Sequence, residues 1–204
     1  SHSTSYGIIA PAIVGKSPRQ QPIGPLVVPG TYKVHLSAGG LSETRELQVT
    51  NDPRSPATPE DLAALSRTER GLVAGIEISR LAIDNLNGIR KEAQERADAE
   101  GNAALDTAMK RFDAGAVRMI ATLAGNRTLA SHLASLEFAD LRPTESTAAA
   151  IRESCAKADE VLRQYDAFLN TELSALQKVL HATGKGGSVY SPKVETPLSA
   201  CAVP

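Results

Sequence analysis

PLVVPGTYKVHLSAGGLSETRELQVTNDPR, residues 25–54, predicts a single β-hairpin. Pro29-Gly30 opens it. Tyr32, Val34 and Leu36 alternate with Lys33, His35 and Ser37, the period of two expected of a strand with one apolar face. Gly39-Gly40 turns the chain, and Leu47 and Val49 fall on the return strand. Asn51-Asp52-Pro53 ends the run, and Ser55-Pro56 continues as loop. Two strands cannot bury a face by themselves. Almost everything downstream reads as helix, so the hairpin looks like the last piece of a sheet whose other strands are mostly missing.

Upstream, residues 1–24 read as an extended, Pro-rich arm. SYGIIAPAIVG, residues 5–15, has room for one short strand, over residues 6–9 or 12–14. KSPRQQPIGP is a linker, because proline removes ladder donors and biases its neighbour away from helix.

Downstream, a helix starts at Thr58. Its hydroxyl caps the first turn, Pro59 suits the first helical position, and Glu60 and Asp61 suit the positive end of the helix dipole. Leu62, Leu65, Leu72, Ile76, Ile83 and Leu86 form a near-heptad seam, interrupted by Glu69 and Ser79 and widened by Val73, Ile78, Leu81 and Ile89. The pattern runs to about residue 99, roughly 60 Å of helix at 1.5 Å per residue. Gly101-Asn102 breaks it. Leu105, Met109, Phe112, Ala116, Met119 and Leu123 then alternate in steps of four and three until Gly125-Asn126. A connector over 127–143 holds a short apolar helical piece at Leu129, Leu133 and Leu136. Pro143-Thr144 restarts a helix that carries Ile151, Cys155, Ala158, Leu162, Tyr165, Leu169, Leu173, Leu176 and Leu180. Glycines at 184–187 stop it. The predicted class is mainly α: an antiparallel three-helix bundle, up-down-up, behind a small N-terminal β region.

Composition sets outer limits on function. The chain has 204 residues and a net charge of -1, from 22 basic and 23 acidic side chains. That balance, with no basic run, gives no footing for nucleic acid. Aromatics are 3% and Trp is absent, so base or sugar stacking has little to work with and the core must be aliphatic. No stretch approaches the roughly 18 apolar residues that span a bilayer, so no direct membrane span is expected. No leader pattern is read at the N-terminus, which leaves the compartment open. Cys155 falls on an apolar helical seam and reads as core, and a single bridge to Cys201 is the alternative.

Motifs that carry chemistry are scarce. His2, His35, His132 and His181 sit in no metal-ligand spacing. Gly184-Lys185-Gly186 only faintly matches a phosphate loop, since Val179 stands where its first glycine belongs and Gly186 where its hydroxyl belongs. There is no nucleophile elbow. Asp98 and Glu100 cluster at a helix end without a partner to tune them. Asn126-Arg127-Thr128 is a formal glycosylation sequon that also serves as a helix stop. The expectation is no catalytic residue, no cofactor, no metal and no enzyme activity.

The order of elements resembles a known module. Gly24-Pro25, then Pro29-Gly30-Thr31-Tyr32, then Asp52-Pro53-Arg54, a capped helix, a second helix, the run at 132–136 and Arg142-Pro143-Thr144 is similar to the C-terminal module of bacterial BNR-repeat, sortilin-VPS10-like β-propeller proteins. The resemblance spans roughly residues 24–182. It departs at Val28, where the family has a second proline, in lacking the aromatic-rich strand before Gly24, and in lacking the propeller with its Asp-boxes. The hydrolase label of that family therefore does not carry over. What the resemblance implies is a partial Ig-like β region, in an extracytoplasmic (periplasmic or secreted) setting.

The resulting layout is an arm over 1–24, a partial Ig-like hairpin region over 25–57, a three-helix bundle over 58–183 and an extended tail over 184–204. The expected role is a non-enzymatic assembly subunit. Its hairpin would complete a sheet with other protein subunits or a second copy, through Tyr32, Val34, Leu36, Leu47 and Val49, helped by Ile8, Ile9, Ile13 and Val14 of the arm. The alternative is the docking or dimerisation stalk of a secreted propeller protein.

Overall fold

In the computed structural model, residues 25, 27–97, 102–125, 127–136, 141–184 and 201 are described. Strands β1 (Gly30–Ala38) and β2 (Leu41–Val49) pair antiparallel as a two-stranded sheet. Gly39 and Gly40 have φ of 59° and 81°. Both signs are positive, as a type I′ turn requires, and only glycine takes both at little cost.

The Asp52-Pro53-Arg54 element is a self-contained turn. The Asp52 carboxylate accepts from the Arg54 backbone N–H at 2.9 Å and from its guanidinium at 3.0 and 2.7 Å. Those bonds from Arg54 hold the Asp52 carboxyl below its usual range. The turn leads directly into the cap of α1 (Pro59–Ala97). The Asp61 backbone N–H donates to Thr58 Oγ1, and the Thr58 backbone N–H donates back to Asp61 Oδ2, both at 3.2 Å. This is a capping box with Asp in the role usually taken by Glu. Asp61 also accepts from Arg142 Nε at 3.1 Å, tying the start of α1 to the entry of the last helix.

Helix α2 (Ala103–Ala124) is capped by Asn102, whose side chain accepts from the backbone of Ala104 and Leu105. Its alternating stripe is buried at Leu105, Met109, Phe112, Ala116 and Leu123, with Met119 half-buried beside it. Gly125 ends the helix in a right-handed conformation, not the left-handed one its identity favours. The short apolar piece in the connector is α3 (Thr128–Leu136), with Leu129, Leu133 and Leu136 all buried. Then α4 (Glu145–Phe168), a π-helical segment (Leu169–Leu173) and α5 (Ser174–Ala182) follow without a break. Thr144 caps α4, and Gly184, at φ 73°, follows α5 in the left-handed conformation. The protein is mainly helical, an antiparallel three-helix bundle with a small N-terminal β region.

The π-helical segment has a visible sequence cause. The buried stripe of the last helix steps by four and three up to Tyr165, then by four and four through Leu169 to Leu173. That is one residue too many for the repeat. A wider turn absorbs it and returns Leu173, Leu176 and Leu180 to the core. The same place is held from outside. Phe168 stacks on Phe112 with centroids 5.5 Å apart, and Arg111 of α2 donates two bonds of 2.8 Å to Glu172. Arg111 thereby keeps the Glu172 carboxyl below its usual range.

The helical core forms two clusters. One joins the second half of α1 to α2, the end of α4, the π-helical segment and α5. The other joins Leu65 and Leu72 of α1 to α3, to Ile151, Cys155 and Ala158 of α4, and to Cys201. So α2 covers one half of the 39-residue α1 and α3 covers the other. The buried face of α1 is broader than a heptad seam, as expected at Ile78 and Ile89; Ala64, Thr68, Ala82 and Asn85 are inside as well, whereas Leu81, expected to widen the stripe, is 43% exposed. Glu69, an interruption in the sequence pattern, is 3% exposed and engaged by a partner.

Cys155 has the core position its seam predicts, but its sulfur is bridged to Cys201 across a Cα separation of 5.6 Å. The bridge lies against Gly75 of α1. A Cβ placed there would stand 3.1 Å from Leu129 and 3.6 Å from Cys201 Sγ. The close approach of α3 and of residue 201 to α1 depends on that missing side chain.

Candidate functional site

The register of the hairpin sorts its side chains. Tyr32 opposes Leu47, Val34 opposes Arg45, Leu36 opposes Glu43 and Ala38 opposes Leu41. Opposed residues share a face, so these eight line one side. The other side carries Thr31/Gln48, Lys33/Glu46, His35/Thr44 and Ser37/Ser42.

The polar side is bonded across the strands. Thr31 Oγ1 donates to Gln48 Oε1 at 2.6 Å, His35 Nδ1 meets Thr44 Oγ1 at 2.8 Å, and His35 Nε2 meets Ser42 Oγ at 2.9 Å. A serine beside a histidine invites a catalytic reading. Here the second ring nitrogen meets a hydroxyl, not the carboxylate that orients a catalytic histidine, and all three residues are exposed to water. The group is a cross-strand polar ladder.

The apolar side is open. Exposure is 50% at Val34, 67% at Leu36, 79% at Leu41 and 50% at Leu47. The charges on this side, Arg45 and Glu43, are paired with each other at 2.5 Å. Tyr32 is half-buried, and its hydroxyl donates to the Val28 carbonyl at 2.6 Å, folding the lead-in segment over its own end of the sheet. Among the described elements, the hairpin packs on none of the helices.

Tyr32, Val34, Leu36 and Leu47 are thus brought together on one surface, with Val49, half-buried, at its end. Ile8, Ile9, Ile13 and Val14 lie outside the described residues. Leu41 is a surface residue that the sequence reading passed over. Counting alternate positions back from Val49 and Leu47 through Arg45 and Glu43 would have found it.

The other histidines have ordinary places. His132 Nε2 meets Ser154 Oγ at 3.0 Å, and His181 is exposed. His2, Asp98, Glu100, Asn126, Lys185 and Gly186 lie outside the described residues. Burial pushes the Asp159 carboxyl up, with Arg163 pulling it down. Among the described residues no cluster of His, Cys, Asp and Glu could hold a metal ion, and no helix is long and apolar enough to cross a membrane.

No protein-family model, no curated protein and no solved structure matches this chain.

Proposed function

We propose that the chain is a non-enzymatic assembly subunit that docks onto a larger protein complex by adding its hairpin to a partner's sheet. One observation carries this reading: a well-formed two-stranded sheet that none of the described helices covers. Among the described residues each strand has one edge that no other strand pairs with, which is the template for strand addition. In a hairpin closed by a two-residue turn, the outward-pointing groups belong to alternate residues, here Lys33 and His35 on β1 and Thr44 and Glu46 on β2. The Cys155–Cys201 bridge supports an extracytoplasmic setting, where disulfides persist.

Affinity purification of the tagged chain from its native source, with the copurified subunits identified and re-expressed, tests the reading. Binding to the re-expressed partner is expected to fall at least tenfold with Glu46→Pro, which removes one outward donor. Undiminished binding by an edge-blocked hairpin refutes it. The resemblance to propeller-protein modules favours a second reading, in which the chain is the stalk of a longer secreted protein. Native mass determination separates the two, because a product over about three times this length is the stalk.

A further inference from the structure

We infer that the partner met by the outer edge of β2 is a second copy of this chain, paired antiparallel about a two-fold axis through Thr44. The inference rests on the edge-pairing reading above and names its partner. β2 is the edge without a guard. Its register with β1 runs from Leu41 to Val49 without a bulge, and it holds no proline and no lysine. β1 places Lys33 and His35 on its edge, and an edge lysine is a common block to further pairing. Among the described residues no third strand pairs with either edge.

The sequence of β2, LSETRELQV, is its own complement. About Thr44, Leu41 faces Leu47 of the second copy, Ser42 faces Glu46, Glu43 faces Arg45 and Thr44 faces itself. Every pairing but the central one occurs twice, because the axis is two-fold. Opposite charges and leucines are therefore matched on both sides of the axis, and no like charges oppose. The register is also singular. Moving the axis one residue either way sets Glu43 against Glu43 or Arg45 against Arg45. β1 has no such complement, since GTYKVHLSA contains no acidic residue. The outward backbone groups of β2 belong to Ser42, Thr44 and Glu46, so the pairing forms about six main-chain bonds. The product is a four-stranded sheet, past the two-stranded state that is marginal in water. Glu43 and Arg45 can exchange partners to make it, being exposed and paired with each other on the surface.

Sedimentation of the purified full-length chain, from about micromolar to about millimolar concentration, tests the inference. An edge contact of this size belongs with weak interfaces, so dimer should fill in across the upper part of that range. Glu43→Arg alone and Arg45→Glu alone each set like charges against one another twice, and each should weaken self-association by about tenfold or more. Both positions are on the surface, so the fold is spared. An equimolar mixture of the two variants restores both opposite-charge pairs between unlike chains, and should return dimerisation to within about threefold of the wild type. Three results overturn the inference: a monomer throughout the range, single variants that associate like the wild type, or a mixture that stays monomeric. None of these bears on docking onto another protein's sheet, which falls only if Glu46→Pro leaves the copurified partner bound.

Discussion

A Cβ added to Gly115 would stand 2.6 Å from the ring of Phe168. Real contacts do not come that close, so the approach of α2 to the end of α4 depends on a glycine in the middle of a helix. Gly115→Ala should gain about 1 kcal/mol of helix propensity and lose about 1–3 kcal/mol to overpacking, a net loss of stability. In a Phe168→Ala background the clash is gone, and the same change should become stabilising. Chemical denaturation of the four variants in a double-mutant cycle measures this reversal of sign.

The bridge between Cys155 and Cys201 closes a loop across a sequence separation of 46. Replacing both cysteines by serine should cost about 2–4 kcal/mol. A dithiol reductant should lower the denaturation midpoint of the wild type by a matching amount and leave that of the double variant unchanged.

Tyr165 is fully buried, and its hydroxyl accepts from Asn85 Nδ2 at 2.5 Å. Burial pushes its pKa above the ordinary 10.0, while the Asn85 bond lowers it and Asp166 adds to the rise. The phenol therefore ionises in the unfolded chain before it does in the folded one. Stability from this group is complete below pH 10 and falls as the pH climbs through the folded value. Tyr165→Phe should cost about 1–3 kcal/mol at neutral pH and flatten the alkaline decline. Thermal melts between neutral pH and pH 11 check both.

The open face of the hairpin contributes nothing to the helical core. Leu41→Lys should leave helix melting, followed by far-ultraviolet circular dichroism, within about 0.5 kcal/mol of the wild type. A larger shift would mean that the hairpin and the helices support one another.

Much of this was readable from residue spacing. The glycine pair and the alternation of Tyr32, Val34 and Leu36 specified the hairpin, because turn chemistry and a period of two are both local. Thr58 and Thr144 announced their helices for the same reason. The breadth of the α1 face was readable at Ile78 and Ile89 but not at its polar positions. Thr68, Glu69 and Asn85 are buried by what packs against them, and a hydropathy pattern scores them as outward. Cysteines far apart in sequence carry no distance information, so spacing alone does not decide the bridge. The π-helical segment was present in the spacing of Tyr165, Leu169 and Leu173, but only as a broken rhythm. Leu41 was missed for being next to the turn, where a lone leucine looks like loop.

The two-cluster core has a consequence for how the molecule comes apart. Cys155 and Cys201 belong to the cluster built on α3 and the first half of α1, and α2 belongs wholly to the other. Reduction should therefore loosen one end of the bundle and spare its opposite end. The sensitive end is the one from which the hairpin leads out. The molecule has a bolted end and an unbolted end, and the redox state of its surroundings speaks only to the first.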